Sequence, residues 1–322
     1  MTVPGFLEVD DLTPAELGAV LDAAEQWKAE PTAIPSPLRG RGAALVFEKP
    51  SARTRSATEM AVVGLGGHPI YIRPEEIGLG VRESVADVAR TLAGFCGVIA
   101  ARVFDHATLE QMAAVVDVPV VNLLSDRAHP TQAVADLLTL RELLGSLEGR
   151  RLVYVGDGNN VAASLAFACA LAGVELTVAS PAGYELDDVT VERARNLGGN
   201  IEIAADPHEA VRGADAVYTD VWTSMGQEEE RAVRLAAFAA YTVDAALMAA
   251  AGEQAWFLHC LPAHRGEEVA AEVIDGPRSA VWQQAANRMH AARALLAHLL
   301  RPSERPLRGE RVGYPAPQRA RQ

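Results

Sequence analysis

Cysteine is scarce in this chain: three residues in 322, Cys96, Cys169 and Cys260, odd in number and far apart. Such a set excludes a disulfide framework. No uninterrupted apolar run approaches the roughly 20 residues that a bilayer requires, so no membrane span is expected. The acidic N-terminus, Met1 to Asp11, has no basic segment followed by an apolar one, so no secretory signal is expected and the cytoplasm is the default location. Positive charge is in deficit, with 29 Lys and Arg against 42 Asp and Glu and a net charge of −13, which argues against a nucleic-acid surface. Only the tail from Pro302 to Gln322 is basic, and with almost nothing apolar it reads as a poorly ordered appendage. The remaining chain, 49% hydrophobic overall, has the composition of a globular enzyme, and its length suggests two domains.

The densest chemistry lies between Phe47 and Met60. Ala43 to Phe47 reads as a buried strand, Pro50 ends it, and Ser51 is a good cap for a helix that begins at Ala52. The first amides of that helix, Ala52 to Arg55, would point outward with the positive end of the helix dipole behind them, which is a cradle for phosphate. Arg53 and Arg55 offer guanidinium forks, and Ser51 and Thr54 offer hydroxyls. The alternative is a capped surface helix with two solvated arginines.

Strand and helix patterns then alternate along the chain, the mark of parallel α/β sheets. Thr13-Pro14 starts a helix that ends near Ala29. His68 to Ile72 is a strand, Arg73 to Glu83 a long flexible loop, and Ser84 to Phe95 a helix. The strand from Gly97 ends on Arg102, at the carboxyl edge where open α/β sheets bind ligands; the alternative is a surface salt bridge. After the strand from Val118 to Leu124, His129 precedes a helix running from Pro130 to Leu144, and Gln132 lies in its first turn. An imidazole and an amide at this spacing suit a planar amide-like substrate, although a cap and a solvated side chain would look the same.

A break at Gly145 to Gly149 marks the domain boundary. The strand Arg151 to Val155 leads into Gly156-Asp157-Gly158-Asn159-Asn160-Val161, an incomplete dinucleotide fingerprint. Val161 holds its third glycine position and the next strand ends at Ser180 rather than on an acid, so nicotinamide binding is not expected. Later strands deliver Asp220 to Met225 and His259 to Leu261 at the same carboxyl edge as Asn160. Asp220 and Ser224 could hold an α-amino group, or Asp220 could cap a helix. Cys260 is either an inert buried thiol or a member of this site; with no further ligand group at suitable spacing, no metal is expected. A long helix from Val281 to Leu300 carries Arg288 and is expected to return to the first domain.

Ser51-Ala52-Arg53-Thr54-Arg55, His129-Pro130-Thr131-Gln132, Asp220-Val221-Trp222-Thr223-Ser224-Met225-Gly226, His259-Cys260-Leu261-Pro262 and Asn287-Arg288-Met289-His290, in this order, resemble the aspartate/ornithine carbamoyltransferase family. The Ser-Met-Gly and His-Cys-Leu-Pro segments resemble its ornithine branch, since the aspartate branch carries His-Pro-Leu-Pro. The resemblance implies two doubly wound parallel-sheet domains joined by long helices: residues 1–145 binding carbamoyl phosphate, with helix 287–301 returning to them, and residues 150–286 binding ornithine. It implies Arg102, His129, Asp220 and Cys260 as catalytic residues. Carbamoyl phosphate would be held by Ser51, Ala52, Arg53, Thr54, Arg102, His129, Gln132, Cys260, Leu261 and Arg288, and L-ornithine by Asn160, Asp220, Ser224 and Met225. No metal or cofactor is implied, and the assembly would be a homotrimer. The chain departs from the family pattern at Ala52, Gly78 and Ala286, usually Thr, a nearby Gln and Glu, and Gln283 with Ala286 removes charge beside Arg288. Those departures leave room for another amine acceptor, such as acetylornithine, lysine or putrescine, or for a weakly active paralogue.

Overall fold

The computed structural model describes residues 5–223 and 228–301. Among the described residues nine strands run in chain order: β1 (Gly42–Phe47), β2 (His68–Ile72), β3 (Cys96–Arg102), β4 (Val120–Leu124), β5 (Arg151–Val155), β6 (Glu175–Ala179), β7 (Ile201–Ala204), β8 (Ala216–Thr219) and β9 (Trp256–His259). They form two sheets, ordered β2-β1-β3-β4 and β7-β6-β5-β8-β9, and every strand pair is parallel. Each sheet reverses its winding once, between β1 and β3 in the first and between β5 and β8 in the second. A crevice opens at the carboxyl ends of the strands on either side of such a reversal, so topology alone fixes where ligands enter.

The α-helices of the described residues are α1 (Pro14–Ala29), α2 (Ala52–Gly64), α3 (Pro74–Ile77), α4 (Val85–Phe95), α5 (His106–Ala113), α6 (Pro130–Leu144), α7 (Asn160–Ala172), α8 (Asp188–Asn196), α9 (Pro207–Ala210), α10 (Arg231–Phe238), α11 (Ala245–Ala251), α12 (Ala271–Ile274) and α13 (Val281–Leu299). Local chemistry starts many of them. Thr13 and Glu16 form a reciprocal capping box with Pro14 at the first turn of α1, and Ser84 accepts from the Asp87 amide to open α4. Each such cap is worth about 1 kcal/mol.

Side-chain alternation on the strands divides the core. Ala43, Leu45 and Phe47 of β1 face a central layer shared with α1, α6, α7 and α13, while Ala44 and Val46 face the outer layer under α4 and α5. In β5, Leu152 and Tyr154 face the same central layer, and Val153 and Val155 face the outer layer of the second sheet. One apolar layer therefore runs through both sheets' inner faces. Helix α13 packs against α6, α2 and α1, so the last helix returns to the first sheet and carries Arg288 with it.

The segment expected as a flexible loop, Arg73 to Glu83, instead contains α3 and a tight turn. Gly78 ends α3 in the left-handed conformation, φ 55°, and a Cβ there would meet Arg82 Cβ at 2.8 Å. Glycine at this departure is thus required by the local backbone. Helices α10 to α12 are additions to the sequence expectation. No helix among the described residues is long and apolar enough to cross a membrane.

Candidate active site

The sheet reversal between β1 and β3 places Phe47 beside Arg102 in register, so the start of α2 and the end of β3 meet at one edge. Ser51 caps α2, with its Oγ 3.3 Å from the Thr54 amide, and the Arg55 amide donates to the Ser51 carbonyl. The helix therefore offers fewer free amides than its sequence suggests, those of Ala52 and Arg53 among the first four. Arg53 is exposed at this end. Arg55 points elsewhere: its Nε donates to Glu59 at 2.8 Å and its guanidinium lies 3.7 Å from the Tyr71 ring centroid, which corrects its expected place in the cradle.

Arg288 reaches the same edge from α13, donating from Nη2 to Thr54 Oγ1 at 2.7 Å. Burial, followed by Arg288 and Arg53, lowers the Arg102 pKa to about 10. Burial is also the main cause of the lowered Arg288 pKa, with Arg53 adding to it. Arg102 Nε is buried without a hydrogen-bond partner. Three guanidiniums converging at the cost of mutual repulsion form a site that gains energy when an anion enters.

His129 and Gln132 line the inner wall, 5% and 1% exposed. The His129 amide donates to Ser164 Oγ on α7 at 2.8 Å, which ties this turn to the second sheet's first helix. Burial, then Arg288 and Arg102, pushes the His129 pKa well below its ordinary value, so its ring is neutral at pH 7. Gln132 Nε2 donates to Asp136 Oδ1 at 2.7 Å, leaving its buried Oε1 without a partner.

The second reversal, between β5 and β8, delivers the other half. Asp220 follows β8 and Cys260 follows β9; the thiol donates to Asp220 Oδ1 at 2.9 Å. Burial and then Asp220 push the Cys260 thiol well above its ordinary pKa, so it remains a thiol. Asn159 caps α7 and donates from Nδ2 to Asp220 Oδ2 at 3.1 Å, a role that the sequence reading did not assign to it. Asn160 donates to the Ser125 carbonyl at 2.6 Å. Ser224 and Met225 lie outside the described residues.

Leu261 takes a left-handed backbone, φ 61°, before a cis peptide to Pro262. A non-glycine residue held there costs of the order of 1–3 kcal/mol and needs support. His259 provides it: Nδ1 accepts the Leu261 amide at 2.9 Å, so Nε2 carries the proton and donates to the fully buried Glu268 at 3.2 Å. Glu268, Asp136, Asn159, Gln284 and Tyr218 had no site role assigned from the sequence. Asp136 alone had a local signal, four residues beyond Gln132 on one helix face.

Asp220, His259 and Cys260 present ligand atoms within 4.8 Å of one another, a convergence hidden in the linear spacing. Both His259 nitrogens are already engaged, however, and Cys260 holds its proton, so the donor set suits hydrogen bonding better than a metal. The glycine fingerprint also has a local cause: a Cβ on Gly158 would lie 2.3 Å from the Leu186 amide nitrogen. The chain's own backbone fills the close approach that a dinucleotide would use.

Family models match both halves. Residues 5–142 match the carbamoyl-P binding domain of aspartate/ornithine carbamoyltransferases, and residues 148–299 match the Asp/Orn binding domain. The ornithine carbamoyltransferase of Acidothermus cellulolyticus is 53% identical over 300 residues, 92% of this chain and 96% of that one. That of Thermus thermophilus is 50% identical over 302 residues, 94% and 98% of the two chains. Among solved structures, the ornithine carbamoyltransferase of Pyrococcus furiosus superposes with a TM-score of 0.88 at 43% identity, covering 92% of this chain and 96% of its own. A crystal structure of the enzyme from Thermus thermophilus gives 0.85 at 48%, covering 92% and 99%. With both family domains matched in order across the two sheets, this chain belongs to the aspartate/ornithine carbamoyltransferase family.

Proposed function

We propose that the protein is an ornithine carbamoyltransferase, transferring the carbamoyl group of carbamoyl phosphate to the side-chain amine of L-ornithine and giving L-citrulline and phosphate. The observation that carries this reading is the joining of an arginine-lined anion edge, Arg53, Arg102 and Arg288, to a carboxylate–thiol pair, Asp220 and Cys260. The first suits a phosphate and the second an amino acid.

In this account residues 1–145, with the returning helix 287–301, bind carbamoyl phosphate. Its phosphate contacts Ser51, the Ala52 amide, Arg53, Thr54, Arg102 and Arg288. Arg102, Thr54 and the ring N–H of neutral His129 polarise the carbonyl oxygen, and Gln132 with the backbone at Cys260 and Leu261 holds the carbamoyl nitrogen. Residues 150–286 bind ornithine through Asn160, Asp220, Ser224 and Met225. A free alkylamine with a pKa near 10 is mostly protonated at pH 7. Asp220 binds the ammonium, one proton passes from it to the carboxylate or solvent to leave the neutral amine, and the Cys260 thiol orients that carboxylate by donating to it. The amine's lone pair then attacks the carbonyl carbon, the tetrahedral oxyanion is stabilised by the same donors, and the carbon–oxygen bond to phosphate breaks with its electron pair leaving on phosphate. The amine's surplus proton passes to phosphate or solvent. No metal or cofactor takes part.

The reading places the protein in the cytoplasm, in arginine metabolism, and as a homotrimer or a multiple of trimers. Its test is product stoichiometry: citrulline and phosphate appear one for one when carbamoyl phosphate and ornithine are supplied. Phosphate release without citrulline would refute it.

A further inference from the structure

Asp136 lies fully buried on α6, at the junction of α6, β8 and α13. Its Oδ1 accepts from two glutamine amides, Gln132 Nε2 and Gln284 Nε2, each at 2.7 Å, and its Oδ2 accepts from the Tyr218 hydroxyl at 3.2 Å. A glutamine side chain is nearly symmetric in shape, so only its hydrogen bonds decide which end faces a ligand. Here the nitrogen of Gln132 is committed to a carboxylate, which accepts and never donates when ionised. The oxygen is left buried, unpartnered and available. Gln284 is fixed in the same way, and its Oε1 then accepts the His259 amide at 2.9 Å, two residues before the strained Leu261.

We propose that Asp136 is a positioning residue that locks the Gln132 amide with its oxygen toward the ligand, and so makes the site select an acyl phosphate bearing an NH2 group over one bearing a methyl. This rests on the reading of carbamoyl phosphate as substrate. Without the carboxylate, the Gln132 amide is free to turn and present its own NH2, two donors facing the two donors of a carbamoyl group. A methyl in their place would meet no such conflict. A site built to accept hydrogen bonds from a ligand rejects the analogue that lacks the donor, because its buried acceptor is then unpaired.

The test compares the affinities of carbamoyl phosphate, acetyl phosphate and inorganic phosphate in the full chain, by competition. Acetyl phosphate replaces NH2 by CH3, and inorganic phosphate reports the arginine cluster alone. Wild type prefers carbamoyl over acetyl phosphate. In Asp136→Leu that preference falls about tenfold or more, with inorganic phosphate affinity within about twofold. Asp136→Asn keeps an acceptor at the Oδ1 position while the Tyr218 hydroxyl turns to accept from the new amide, and it restores the preference. Tyr218→Phe, which loosens the carboxylate without freeing Gln132, keeps the preference. Should Asp136→Leu fail to fold, Asp136→Ala reads the same ratio, since a water admitted to the gap can pair with either end of the amide. An unchanged preference in the folded Leu or Ala variant, or an equal loss for all three ligands, overturns the positioning role. A wild type with no preference for carbamoyl phosphate overturns the substrate reading beneath it.

Discussion

The Cys260 thiol donates to the Asp220 carboxylate across 2.9 Å, joining residues forty positions apart into one buried polar pair at the ends of β8 and β9. Because the thiol stays protonated, its part in this pair is that of a donor. Asp220→Ala is expected to lower kcat/KM for ornithine by about 100-fold or more while calorimetric affinity for carbamoyl phosphate changes little. Cys260→Ser, which keeps a donor, should lose less than Cys260→Ala. Equal losses in the two Cys260 variants would show that the hydrogen bond is immaterial.

Arg53, Arg102 and Arg288 repel one another, and Arg102 has its pKa lowered to about 10. Inorganic phosphate should therefore raise the melting temperature, by the equivalent of about 2.7 kcal/mol at a hundredfold excess over its Kd. Arg53→Ala should abolish that response without lowering the melting temperature of the unliganded protein, since it removes a like charge. Unchanged phosphate binding in Arg53→Ala by calorimetry would overturn the assignment of the anion edge.

Asp136 titrates at about 7, raised from 3.8 chiefly by burial against the three hydrogen bonds it accepts. A carboxyl whose folded pKa exceeds its unfolded value binds more protons when folded between the two, so its contribution to stability is greatest below about pH 4 and is lost as pH rises through about 7. Asp136→Asn removes this term. Urea denaturation at pH 5 and pH 8 should show the variant gaining on wild type at the higher pH, by at most a few kcal/mol. A difference independent of pH would contradict the raised value.

Glu268 accepts from the His259 ring and from the His264 amide in a fully buried position. Glu268→Leu leaves both donors unpaired and should cost about 2–4 kcal/mol in denaturant melts. Glu268→Gln can still accept from His259 and should cost less. Nitrogen chemical shifts of His259 should report an Nε2-protonated ring in the wild type, and in Glu268→Leu as well if the variant folds, because the Leu261 amide still donates to Nδ1.

The parts of this site legible in the sequence are those written in contiguous residues. Ser51 as a cap, the strand ending on Arg102 and the helix opening at Pro130 all follow from local rules, and parallel alternation then sends each to a carboxyl edge. Long-range pairings were not legible. Nothing local tells Arg55 to stack on Tyr71 rather than face an anion, or tells Asn159 to reach Asp220, 61 positions away. The same holds for Glu268: it is nine residues beyond His259, and a chain reversal, rather than periodicity, brings them together. Gly78 shows the converse, since its departure from the family pattern follows from a left-handed turn visible only in the backbone.

The central claim, that the anion edge and the Asp220–Cys260 pair serve one carbamoyl transfer to a free amino acid, is tested most directly by supplying carbamoyl phosphate with ornithine, acetylornithine, lysine and putrescine in parallel. Each carbamoylated product is then measured. The account predicts citrulline from ornithine at a kcat/KM at least about tenfold above any other acceptor. Preferred carbamoylation of acetylornithine, lysine or putrescine, or no transfer to any of the four, would contradict it.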